Sequence, residues 1–183
     1  LDAPTTAASP RWNLALARAL VIDPARTDTS AATQIDVGWW TAWRDVRLSA
    51  RIALGGTAAL ATTDAMTTAN RQTWGTTLGL GRRFGHHRFW AEPAGGAALV
   101  VARVRGGTSM QIGEVIRLQG ALAGSVAAGV RLGAGASLRF DLSALLYPIR
   151  DRYTVPPVTV ARSPVADLAA AIGLEVAFGE RFW

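Results

Sequence analysis

The chain has 183 residues, half of them apolar, a formal net charge of +6 and no cysteine. That length fits one domain, and the missing thiols exclude a disulfide framework, a thiolate metal site and a lipid-bearing N-terminal cysteine within this sequence. No uncharged stretch reaches the roughly 18–20 apolar residues of a membrane-spanning helix; the longest, Leu118 to Val130, contains Gln119, Ser125 and three glycines. All 19 basic residues are arginine, scattered rather than gathered with aromatics, so no nucleic-acid partner is expected. An arginine-only set suits buried ion pairs, because guanidinium makes planar two-point contacts and is weakly hydrated.

The pattern that recurs is alternation with period 2, the signature of a strand with unlike faces. The first such stretch, Trp12 to Ile22, is imperfect because Arg18 shares a parity with Leu14 and Leu16. Ile35, Val37, Trp39, Thr41 and Trp43 then alternate with Gln34, Asp36, Gly38, Trp40 and Ala42. After Arg44-Asp45 comes Val46 to Leu54, where Val46, Leu48, Ala50, Ile52 and Leu54 oppose Arg47, Ser49, Arg51 and Ala53. A second hairpin pairs Thr73–Gly81 with Arg88–Val104 through 82–87; Pro93 and Gly95-Gly96 predict a bulge in its second arm. A third joins Glu114–Val126 to Val130–Tyr147 through Ala127-Ala128-Gly129. The last stretch, Asp167 to Trp183, sets Leu168, Ala170, Ile172, Leu174, Val176 and Phe178 against Asp167, Ala169, Ala171, Gly173 and Glu175.

Eight strands result, with long connections at 23–33, 55–71, 105–113 and 148–164 and short ones at 44–45, 82–87 and 127–129. This layout predicts an all-β fold, an eight-stranded antiparallel up-and-down transmembrane β-barrel. Its polar parity is dominated by Gly, Ala and Ser, which suit the cramped interior of an eight-stranded barrel. A soluble sandwich would show bulky polar residues there, and a lipocalin-like barrel would be apolar inside. Trp12, Trp43, Phe84, Phe89, Trp90, Phe182 and Trp183 fall near the tight-turn end and are expected to form an aromatic girdle. Phe140, Tyr147 and Trp74 would supply a sparser one opposite.

From these features the chain resembles, over residues 10–183, the small outer-membrane barrels of the OmpA and OmpX type. The resemblance rests on the hairpin rhythm and on an aromatic end, Phe178-Gly179-Glu180-Arg181-Phe182-Trp183. The alternating parity selects Phe182 rather than Trp183, and Glu180 stands where another apolar residue is usual. The resemblance implies integral placement in a bacterial outer membrane. It also implies outer-membrane lipid and the barrel-assembly machinery as partners, and a further envelope protein bound through the loops. Leu1-Asp2-Ala3-Pro4 reads as a mature terminus, with residues 1–9 a flexible periplasmic tail.

The family includes lipid-modifying enzymes, and nucleophilic hydrolysis needs a histidine beside its nucleophile. The only histidines, His86 and His87, are adjacent, lie in a tight turn on the periplasmic side and belong to no His-x-Ser motif. Neither catalysis nor a cofactor or metal is expected. Inward charges are expected at Asp36, Arg47, Arg51, Glu92, Arg117, Arg131, Arg139, Asp141, Asp167 and Glu175, five basic and five acidic, forming a salt-bridge plug in the lumen. A narrow anion-preferring pore is the alternative. The expected role is that of a non-enzymatic anchor, scaffold or surface-contact protein. The 148–164 loop supplies Arg150, Arg152 and Tyr153 as contact candidates.

Overall fold

The computed structural model describes residues 11–22, 29–40, 46–59, 68–86, 88–107, 112–133, 135–150, 152–155, 158–162 and 164–178. The tail at 1–9, Trp43, His87, Phe182 and Trp183 lie outside the described residues.

Alternation does produce strands. They are β1 (Arg11–Ile22), β2 (Thr29–Trp40), β3 (Val46–Ala59), β4 (Thr68–Arg82), β5 (Phe84–His86), β6 (Phe89–Gly107), β7 (Ile112–Gly133), β8 (Ala136–Leu146), β9 (Arg152–Val155), β10 (Val158–Arg162) and β11 (Ala166–Phe178). β5 continues β4 in the same register beside β6, so the two act as one wall. Antiparallel pairing runs β4-β3-β2-β1-β11-β8-β7-β6, and β6 pairs again with β4, closing an eight-stranded barrel. β9 and β10 form a separate hairpin in the connection between β8 and β11.

Following the ladder from Trp74 through Leu54, Thr33, Arg18, Ile172, Phe140 and Ala128 leads to Ala91 on β6. The direct neighbour of Trp74 on β6 is Val101, so one circuit slips ten residues. This stagger ties strand tilt to strand number and gives a tilt of about 40°.

One face is consistently apolar. On β1 the outward side chains are Trp12, Leu14, Leu16, Arg18, Leu20 and Ile22, while Asn13, Ala15 and Ala19 are buried inside. Ten residue steps at about 3.3 Å and this tilt rise about 25 Å, the height of a hydrocarbon belt. Leu78, Leu80, Leu99, Leu118, Leu122, Leu142, Ile172 and Leu174 are exposed around the circumference in the same way. A continuous apolar belt of this extent has no stable contact with water, so the exterior is built for lipid. Trp12 and Trp39 stack at its tight-turn edge with centroids 5.6 Å apart, and Phe84 and Phe89 are exposed at the same edge.

Three expectations need correction. The third hairpin turns between Gly133 and Ala136, not at 127–129. Arg131 pairs with Ser137, the next pair is Gly133 with Ala136, and the shift between them preserves parity across the turn. Alternation therefore runs through it unbroken and cannot locate it. The usable signal was Gly133 and Gly135, both in the left-handed region (φ 115° and 79°) that glycine enters without penalty. Moving the turn leaves Phe140 close to the tight-turn end rather than in an opposite girdle, and Tyr147 is buried inside the barrel. Finally, no bulge occurs at Pro93: its register with β7 is continuous, and it faces outward opposite the junction of β4 and β5. There the missing N–H interrupts nothing that the ladder had not already interrupted.

Arg18, ambiguous by pattern, faces outward near mid-height, where its Nη1 donates to Thr33 Oγ1 at 2.8 Å. A guanidinium at that depth costs about 2–4 kcal/mol at the midplane and less towards the interface. Arg18→Leu should raise stability by about 2 kcal/mol in reversible unfolding from lipid vesicles, whereas Arg150→Leu, in an exposed connection, should leave it unchanged.

Candidate functional site

The inward parity carries the polar chemistry. Small residues dominate it, including Ala15, Ala19, Ala98, Ala102, Ala121 and Ala127, all buried. They leave room at one level for long charged side chains, and these meet in a closed ring. Arg47 on β3 donates from Nη1 to Glu92 on β6 at 2.9 Å and from Nη2 to Asp36 on β2. Arg83, between β4 and β5, donates from Nε to Glu92 at 2.8 Å and from Nη1 and Nη2 to the two oxygens of Glu175 on β11 at 2.6 and 3.0 Å. Arg139 on β8 bridges Glu175 at 3.0 Å and Asp141 at 3.0 Å. Arg51 on β3 takes Asp141 in two-point fashion at 3.1 and 2.7 Å and returns to Asp36 at 3.3 Å. Arg139 also reaches Asp36 across the ring at 3.6 Å.

Four arginines and four carboxylates thus alternate around one circuit and sum to no charge. Neutrality matters because an ion moved into a low-dielectric interior costs several kcal/mol unless it is paired and hydrogen-bonded. Arg47, 1% exposed, uses its remaining Nε–H on Asn13 Oδ1 at 2.9 Å. Gly38 makes that possible, since a Cβ there would overlap both Arg47 Nε and Asn13 Oδ1. Below the ring the Arg83 guanidinium lies over Trp90 and Trp40, with centroids at 3.6 and 4.8 Å. Gly129 opens the space for Trp90, whose ring carbons would otherwise collide with a Cβ.

A second, smaller group sits higher. Arg71 on β4 donates to both oxygens of Asp167 at 3.1 and 2.9 Å and to Tyr147 Oη at 3.1 Å, while Tyr147 donates to Asp167 at 2.7 Å. Between the two groups lies a chamber of about 90 Å³ with Ser49, Thr77, Ser125 and Ser143 on its walls. That space suits a few waters. Above it, Tyr153 of the β9–β10 hairpin is fully buried against Ala69 and Val104 and donates to Gln119 Oε1 at 3.3 Å.

Of the expected inward charges, the structure brings Asp36, Arg47, Arg51, Glu92, Arg139, Asp141 and Glu175 into the ring and Asp167 into the upper group. Arg117 and Arg131 are exposed instead. Both have the inward parity, but Arg117 belongs to the part of β7 above Leu122 that has no β8 beside it, and Arg131 lies at the turn. Trp90 is not a girdle residue: it is 4% exposed and fills the lumen beneath Arg83. Tyr153 is no surface contact, because it closes the barrel mouth; Arg150 and Arg152 are exposed. Pattern reading missed Arg83, Arg71 and Asn13. For Arg83 a signal exists in the sequence, because Gly75, Thr77, Gly79, Gly81 and Arg83 share one parity that runs past Gly81. No group of three or more His, Asp or Glu suited to a metal occurs among the described residues.

No protein-family model matches the chain, and no curated protein does. Solved structures do. A major outer membrane protein from Thermus thermophilus superposes with a TM-score of 0.62 at 13% identity, covering 91% of this chain and 99% of that one. Neisserial surface protein A gives 0.57 at 11% identity, and Ail, the attachment invasion locus protein of Yersinia pestis, gives 0.56 at 9%; each match covers 92% of this chain and 97% of the other. The chain therefore has the fold of the small eight-stranded outer-membrane β-barrels.

Asp141→Asn should destabilise the barrel by about 3–5 kcal/mol, because Arg51 and Arg139 would keep their charges with one partner fewer. Denaturant unfolding in vesicles reads this directly.

Proposed function

We propose that this protein is an integral outer-membrane barrel without catalytic activity, acting as an anchor, scaffold or surface-contact protein through its long connections. The observation that carries this reading is the neutral ring: its eight charged side chains, contributed by every wall of the barrel except β1 and β7, are engaged with one another across the lumen. Ions crossing would have to break several buried pairs at once. This argues against the narrow-channel alternative. The apolar belt supports membrane placement, and the shared fold supports the outer membrane in particular. What remains for contact with a partner is the exterior of the long connections. There the exposed Arg150 precedes, and the exposed Arg152 begins, a hairpin that Tyr153 pins to the barrel mouth.

The absence of native cysteine makes single-cysteine labelling clean. On intact cells, Arg152→Cys should react with a membrane-impermeant maleimide and Arg88→Cys, on the tight-turn side, should not; the reverse result would contradict the placement. Reconstituted in planar bilayers, the protein should pass no current above lipid background. Steady current steps would instead favour a channel.

A further inference from the structure

The barrel exterior changes character abruptly in one sector. On β4, β6 and β7 the outward row Trp74, Val101, Leu118 is apolar. The next row towards the long connections is Gln72, Arg103, Ile116, and the one beyond it Asn70, Arg105, Glu114. Each row is two residues, or about 5 Å of height at this tilt. Two guanidiniums and two amide side chains therefore begin where the apolar belt ends, at the level of lipid headgroups.

The feature is local. At the same end, the last outward positions described on β1, β2, β3, β8 and β11 are Ile22, Thr29, Ala59, Leu146 and Ala166, none of them charged. Arg103 Nη2 contacts Glu114 Oε2 at 2.7 Å, and both side chains are well exposed. One carboxylate faces two guanidiniums, so the sector keeps a net positive charge and several N–H donors directed outward. Phosphate is the headgroup group that matches: it accepts two-point contacts from arginine and further hydrogen bonds from amides.

We propose that Arg103 and Arg105, flanked by Asn70 and Gln72, bind the phosphate of an outer-leaflet lipid headgroup, in competition with Glu114 for one of the Arg103 donors. The proposal rests on the membrane reading above and extends it to one class of lipid. Insertion into vesicles, scored by heat-modifiable gel migration, is measured first; failure to insert overturns the membrane reading and this site with it. Native mass spectrometry from detergent then compares bisphosphorylated lipid A with the same lipid after removal of its phosphates. The folded protein should retain the phosphorylated form about tenfold better. The Arg103→Gln, Arg105→Gln double variant should lose that preference while still inserting. Glu114→Gln, which removes a competing carboxylate, should retain more lipid than the parent. Equal retention of the two lipids, a preference surviving in the double variant, or displacement of the lipid by inorganic phosphate would each overturn the proposal.

Discussion

An eight-stranded barrel has a lumen only as wide as the side chains that fill it. Charges on its inner wall must neutralise one another there, because water cannot reach them in number. The ring of Arg47, Glu92, Arg83, Glu175, Arg139, Asp141, Arg51 and Asp36 meets that constraint with an alternating circuit linking β2, β3, β6, β8, β11 and the β4–β5 junction. Neighbours around the circuit are up to 92 positions apart in sequence, so the ring forms only when the cylinder has closed and its register is fixed. A one-residue slip in any strand that contributes to the ring would turn a ring member towards the belt.

The exterior obeys the opposite rule. Leu, Ile and Val fill the outward parity, aromatic residues mark one edge, and a basic sector marks part of the other. Arg18 departs from the rule, lying on the apolar face with a threonine hydroxyl as its partner. Gly38 and Gly129 carry no side chain because Arg47 and Trp90 occupy the space it would need.

Much of the fold was legible because the bilayer, the lumen and the strand period all act on parity. Val46–Leu54 has one set of partners outside and another inside, and no other register satisfies both. Turn position was less legible. At Gly133 to Gly135 a shift plus a short turn restores the parity, and the pattern carries no mark of the reversal. Strand ends were blurred for a related reason: Arg83 and Arg71 lie where connections were expected, yet they keep the inward parity and enter the lumen. Parity also gives no height: Arg117 and Arg131 share the inward parity, yet they lie near the ends of β7 and are exposed. Trp90 shows the limit for aromatics, since proximity to the tight turns did not reveal which way the ring pointed. Pairing across the barrel, such as Arg51 with Asp141, depends on shear and closure, which no local stretch encodes.

The lumen charges act as one coupled circuit. A double-mutant cycle on Arg83→Gln and Glu175→Gln, read by reversible unfolding in lipid vesicles, tests it most directly. Coupling above about 1.5 kcal/mol is predicted, because each single change strands a partner that the double change releases. Additivity within about 0.5 kcal/mol would contradict the account.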